Sequence, residues 1–175
     1  MRISITGVPG TGKTTISELV GKALKMKVIH LTELAKKEGF LAGFDRSRAC
    51  RIVNIEKLKD KLEREKNAIF ESHFAEEIPA DLVIVLRLDP YEVTERLQNR
   101  RYSKRKAMEN ALAEALDYYT TQKRKKRYLE IETTSLTPYE IVDKVVKAVR
   151  TKKGDKVDYS YWLDENVEEL EKLKL

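Results

Sequence analysis

The chain has one cysteine, Cys50, among 175 residues, so no internal disulfide and no Cys-rich zinc site can form. This suits a reducing compartment, and Cys50 reads as a small apolar residue in a helix or turn rather than as a nucleophile. No apolar run approaches the roughly 20 residues needed to cross a bilayer. The chain enters a strand at Arg2 without the charged, apolar and cleavage-site succession of a secretory leader. A soluble, cytoplasmic protein with no membrane partner is expected. Glutamine is scarce while charged residues reach 37%, a balance found where ion-pair networks support folding in hot environments. No N-K-x-D element is present, so GTPase-type base recognition lacks its residues. The length suffices for one domain with its own core and a small appendage.

What is present is concentrated at the start. Residues Gly7-Val8-Pro9-Gly10-Thr11-Gly12-Lys13-Thr14 form a complete G-x-x-x-x-G-K-T loop directly after the apolar run Ile3-Ser4-Ile5-Thr6. Glycines permit a backbone path that side chains would block, so successive N–H groups can converge on phosphate oxygens. Lys13 would reach the β- and γ-phosphates of a nucleoside triphosphate, and the Thr14 hydroxyl would sit on Mg²⁺. The following helix, with Ile16, Leu19, Val20 and Ala23 on one face, directs its positive end at the same place.

Strands and helices alternate along the rest of the chain. Strands are expected at Arg2–Thr6, Lys27–His30, Ala68–Phe70, Leu82–Leu86 and Tyr128–Ile131. The almost purely apolar Leu82–Leu86 run suits a central strand covered on both faces. Helices are expected over Thr14–Lys25, Thr32–Lys37, Asn54–Lys66, Pro90–Arg100, Lys104–Lys125 and from Pro138, with Ile141, Val142, Val145, Val146 and Val149 on its apolar face. This order implies an α/β fold of the three-layer phosphate-loop NTPase class, a parallel five-stranded sheet with helices on both faces and nucleotide at its C-terminal edge. A polar stretch from Thr151 to Tyr159, broken at Gly154, leads to a last amphipathic helix with Leu163, Val167 and Leu170. Docking of Tyr159, Tyr161 and Trp162 on the domain's own surface and binding of a partner are both open readings of this tail.

The net charge of +6 gathers in two places, Arg96 to Lys106 and Lys123-Arg124-Lys125-Lys126-Arg127. The first supplies cations for phosphate chemistry, which depends on positioning and charge stabilisation. The second fits either RNA backbone contact or a solvated helix end. No aromatic residue interleaves with it, so base stacking has no support.

Further short motifs accompany the loop: a strand ending in Glu71-Ser72-His73, Asp-Leu-Val-Ile-Val-Leu-Arg over Asp81 to Arg87, and Arg100-Arg101-Tyr102-Ser103-Lys104-Arg105-Lys106 followed by Asn110 and Glu114. Together they resemble the adenylate kinase isoenzyme 6 family, also called the coilin-interacting nuclear ATPase protein family, with its archaeal adenylate kinase members. The resemblance spans residues 1–150. It implies a broad-specificity nucleoside monophosphate kinase (ATP + AMP = 2 ADP) with secondary ATPase activity. It also implies a role in late maturation of the small ribosomal subunit and its rRNA, through the universal small-subunit ribosomal protein eleven and transient rRNA contact.

Carried onto this chain, the resemblance makes Gly10, Gly12, Lys13, Thr14, Thr15 and Arg100 the ATP-binding residues. Lys13, Arg100, Glu71 and His73 become the catalytic set, with Thr14 and, through water, Glu71 holding Mg²⁺. It divides residues 1–150 into a kinase unit with a monophosphate-binding segment at 30–53 and a lid at 99–109, and leaves 151–175 as a helical extension. Three positions depart from the family pattern. Glu71 replaces the aspartate of an Asp-x-His element, Lys36 stands where relatives carry arginine, and Arg101 replaces a lid glycine. A solvated strand-end acid at Glu71 and a structural histidine at His73 are the plainer readings of those two residues.

Overall fold

A computed structural model describes residues 1–45, 50–121 and 128–174. Five parallel strands form the sheet: β1 (Arg2–Thr6), β2 (Lys27–His30), β5 (Ala68–Glu71), β6 (Leu82–Arg87) and β7 (Tyr128–Glu132), in the order β2-β5-β1-β6-β7. The expected α/β fold is present. Side chains alternate across the strands and so divide the core. Ile3 and Ile5, with Ile84, Leu86 and Ile131, pack on helices α1 (Lys13–Leu24) and α7 (Pro138–Thr151). On the opposite face Val83 and Val85 meet α4 (Pro90–Asn99) and α5 (Lys104–Ala115), while Phe70 and Ile29 meet α2 (Leu31–Lys37) and α3 (Ile55–Leu62).

Local chemistry fixes the helix starts. Thr137 and Glu140 form a reciprocal capping box ahead of Pro138, and Asp89, Ser103 and Asn54 each accept a backbone N–H at the start of α4, α5 and α3. Two expectations change. The segment before α3 forms an antiparallel hairpin, β3 (Leu41–Asp45) with β4 (Cys50–Val53), so Cys50 lies on a strand and not in a helix or turn. The helix expected over Lys104–Lys125 stops at Ala115 and resumes only for α6 (Tyr118–Thr121), with Asp117 in the left-handed region at φ 54°. At this break the buried Arg87 donates from Nη2 to the Glu114 carbonyl at 3.0 Å and to the Asp117 carboxylate at 2.6 Å, and the Asp117 N–H closes a tight turn on the same Glu114 carbonyl. The Lys123–Arg127 cluster lies outside the described residues.

The tail folds back on the domain. Gly154 passes so close to β7 that a Cβ there would lie 2.7 Å from the Glu130 carbonyl oxygen. Asp155 then bonds to β7 through its N–H to the Glu130 carbonyl and through its carboxylate to the Glu132 N–H. The last helix, α8 (Ser160–Leu173), seats a fully buried Trp162 against α4, edge-on to Tyr91. Tyr161 donates to Asp89, and Lys104 at the start of α5 pairs with Glu169. Tyr159 and Trp162 are buried, Leu163 and Leu170 pack beside them, and Val167 faces solvent.

Candidate nucleotide site

The turn from β1 to α1 has positive φ at Gly7, Gly10 and Gly12 (136°, 101° and 84°), conformations that cost an L-residue strain. Space is restricted as well: a Cβ on Gly7 would stand 2.5 Å from the Leu86 carbonyl oxygen. Gly12 is the N-cap of α1, with no side-chain cap on the helix start, so its first N–H groups point toward the loop, as an anion cradle requires. Arg96 on α4 ties this loop to the next layer by donating to the Gly10 carbonyl at 3.3 Å while pairing with Glu92. Sequence reasoning placed Arg96 only in a general basic run; its spacing gives no hint of a bond to the loop backbone.

Lys13 is buried, with Nζ donating to the Val8 carbonyl at 2.9 Å. Burial lowers its pKa to about 8, although Glu71, Glu114 and Glu76 pull it upward; the Arg100 guanidinium lowers it further. Arg100, which caps α4 at the solvent surface, is therefore near enough for its charge to register at Lys13. Its neighbour Arg101 holds a left-handed φ of 64°, a conformation that glycine adopts without cost.

At the carboxyl ends of the strands Glu71 is buried, and its Oε1 lies 3.5 Å from the Thr14 hydroxyl, which donates to it. Glu71 Oε2 meets His30 Nδ1 at 2.7 Å, and His30 Nε2 meets Glu18 Oε1 at 2.7 Å. His30 is partly desolvated, which opposes its charge, yet hydrogen bonds to Glu71 and Glu18 raise its pKa above the ordinary value. Glu18 had been assigned no role in the sequence, and His30 stood only as the first residue of the 30–53 monophosphate-binding segment. The helical i, i+4 spacing of Thr14 and Glu18 was the available signal, but the His30–Glu71 pairing needs the strand order.

His73 lies just beyond Glu71, edge-on to Phe74, and makes no hydrogen bond among the described residues. Desolvation by its surroundings and the Lys13 charge lower its pKa, leaving a neutral imidazole at pH 7. Of the expected residues, Gly10, Gly12, Lys13, Thr14 and Glu71 converge on one point. Thr15 is exposed on the first turn of α1, and Arg100 approaches from the α4–α5 turn. Hard oxygen donors from Thr14 and Glu71 fit Mg²⁺ shared with substrate phosphates, which binds through few protein ligands and keeps several waters.

The sequence profile of the family described as an AAA domain, AAA_18, matches residues 3–117. The chain belongs to this family. Two archaeal proteins that each carry the printed name "Putative adenylate kinase" are similar over most of their length. One, from Methanocaldococcus jannaschii, is 39% identical, over 89% of this chain and 90% of its own. The other, from Natronomonas pharaonis, is 38% identical, over 91% and 98%. The fold is shared with a gluconokinase from Sinorhizobium meliloti, at TM-score 0.61 and 13% identity, over 86% of this chain and 91% of that one. Among the described residues, no helix is long and apolar enough to cross a membrane.

Proposed function

We propose that the protein is an ATP-dependent nucleoside monophosphate kinase that takes AMP or another monophosphate to the diphosphate, with slow ATP hydrolysis as a side activity in the cytoplasm. The nucleotide-kinase part is supported by the archaeal relatives; the observation that carries it is the buried Lys13 beside the Thr14–Glu71 pair on a glycine-shaped loop. Residues 1–150 would form the catalytic unit, with the acceptor held by segment 30–53 and the lid formed by 99–109. The helical extension 151–175 would brace it.

In this reading the backbone of Gly10 and Gly12, with Lys13, Thr14 and Thr15, holds the donor phosphates. Arg100 comes over the phosphoryl group in transit. An acceptor phosphate oxygen bonds to the γ-phosphorus as the β–γ bridging oxygen leaves with ADP, so no proton has to move. Mg²⁺, when bound with ATP, supplies charge neutralisation at the β- and γ-oxygens, and Thr14 and Glu71 are the residues that would hold it and its water. In hydrolysis the nucleophile is water and a proton must leave; in this reading His73, whose pKa is lowered by desolvation and by the Lys13 charge, would take it.

Lys13→Ala should remove phosphotransfer and hydrolysis alike while circular dichroism stays unchanged, since a phosphate-loop cation serves both reactions. Retention of more than about a tenth of wild-type turnover would sink the assignment, because transition-state cations are worth several powers of ten. Assays with each monophosphate beside an acceptor-free control separate this reading from a kinase of another small metabolite.

A second reading, a nucleotide-switched factor in small-subunit maturation, draws on the resemblance to the adenylate kinase isoenzyme 6 family and on the exposed basic face of Arg100, Arg101, Lys104 and Arg105. Binding to the universal small-subunit ribosomal protein eleven, and a steep loss of rRNA contact with salt, would support it. No binding at low salt, with or without ATP, leaves the metabolic kinase alone.

A further inference from the structure

We propose that His30 is a positioning residue that fixes Glu71 and so sets how tightly the Mg²⁺ of a bound nucleotide is held. The proposal rests on the kinase reading above. Its basis is a ring of four side chains that begins and ends on α1. Thr14 and Glu18 lie one helical turn apart and therefore on one face of α1. His30 and Glu71 are register partners at the carboxyl ends of the neighbouring parallel strands β2 and β5. From Thr14 Oγ1 the ring runs 3.5 Å to Glu71 Oε1, then from Glu71 Oε2 2.7 Å to His30 Nδ1, and from His30 Nε2 2.7 Å to Glu18 Oε1.

A glutamate has three side-chain torsions to freeze, so holding its carboxylate in one orientation costs conformational entropy. In a buried carboxylate with one oxygen free to swing, the other would not point at Thr14 for most of the time. His30 removes that freedom by occupying Oε2, which leaves Oε1 beside the hydroxyl that faces the phosphates. Glu18 in turn holds the far nitrogen, so the imidazole cannot rotate away from Glu71. The two contacts divide the work: the Nδ1 contact orients the carboxylate, and the Nε2 contact orients the ring. Partners that orient metal-site groups in this way typically contribute tenfold to a hundredfold in metal affinity.

The test measures binding rather than turnover. A fluorescent ATP analogue is titrated into wild type and variants, first in EDTA and then across a Mg²⁺ series. His30→Ala should raise the Mg²⁺ concentration that gives half of the affinity gain by about tenfold or more, with the metal-free dissociation constant within about twofold of wild type. His30→Asn, whose amide nitrogen can replace Nδ1 but cannot reach Glu18, should recover most of the loss. Glu18→Gln should fall between His30→Ala and wild type, and it guards against a His30→Ala protein that fails to fold. An unchanged Mg²⁺ midpoint in both His30→Ala and Glu18→Gln would overturn the proposal. So would an equal loss of affinity in EDTA, which marks a merely structural role. Wild-type protein that binds no ATP would instead remove the kinase reading, and this inference with it.

Discussion

Arg87 lets the stability of this fold be predicted from one side chain. The guanidinium is fully buried at the end of the interior strand β6. It donates to Glu114 Oε1 at 2.5 Å and to Asp117 at 2.6 Å, lies 3.2 Å from Glu130 and sits over the Tyr159 ring. Burial opposes its charge, but the Glu114, Asp117 and Glu130 carboxylates outweigh this and hold it protonated, above its ordinary pKa. For Glu114 burial pushes upward while Arg87 and the Leu88 N–H pull down; with two donors converging on Oε1, the ionised pair is the consistent state. Glu114→Ala removes the shortest of these contacts and orphans the Leu88 N–H. Breaking one side of a buried pair costs about 3–5 kcal/mol. Asp117 and Glu130 remain beside the guanidinium, so the lower half of that range is expected. In a chain of this size, where 1 kcal/mol moves Tm by about 2–4 °C, that means a fall on the order of 10 °C. Urea unfolding followed by circular dichroism reads it directly. Arg87→Met strands the buried Glu114 carboxyl, whose raised pKa stabilises the fold only while it can hold its proton. The loss should thus be smaller at pH 5 than at pH 8. The Arg87→Met/Glu114→Leu double variant leaves only Asp117 and Glu130, which reach solvent, and should recover to within about 2 kcal/mol of wild type. A double variant as unstable as the sum of the singles, or Glu114→Ala at wild-type stability, would refute this account of the pair.

Gly7→Ala should abolish nucleotide binding and lower stability by about 2 kcal/mol or more, because the new Cβ meets a backbone oxygen at 2.5 Å in a positive-φ conformation; near-normal binding by calorimetry would contradict this. Arg100→Ala should weaken monophosphate phosphorylation more than acceptor-free hydrolysis, whereas Glu71→Gln should harm both, as read in parallel coupled assays. With Lys13 near pKa 8 in the free protein, its charged form prevails below pH 7 and is lost as pH rises. The dissociation constant of ATP should accordingly be flat from pH 6 to 7 and climb toward tenfold per unit above about pH 8. A profile flat to pH 10 would show that the Lys13 charge is not what holds the phosphates.

The loop, the five strands and most helices were legible because each rests on local chemistry. Apolar runs mark the strands, Thr137 and Asp89 mark helix starts, and three glycines mark a turn that no other residue fits. What stayed hidden depends on distant partners. Glu114 and Asp117 look like ordinary members of a long helix; that Arg87, remote in sequence, bonds to both is visible only in the fold. His30 reads as the polar end of a short strand; only the adjacency of β2 and β5 sets it on Glu71. The hairpin around Gly43 carries weak alternation and exposed Phe44 and Ile52, so neither burial nor periodicity announced it.

The close passage of Gly154 along β7 also bears on how copies of this protein meet one another. A parallel sheet has two open margins, each a row of N–H and C=O groups able to recruit a foreign strand. Asp155 occupies the β7 margin from within, taking the Glu130 carbonyl with its own N–H and the Glu132 N–H with its carboxylate. Lys144 braces that carboxylate at 2.8 Å. The plug depends on the missing side chain one residue earlier, since any Cβ at Gly154 would strike the strand it seals. A substitution there acts as an unmasking lesion: the nucleotide loop, on the far side of β6, is untouched, while a sticky margin opens to neighbouring chains.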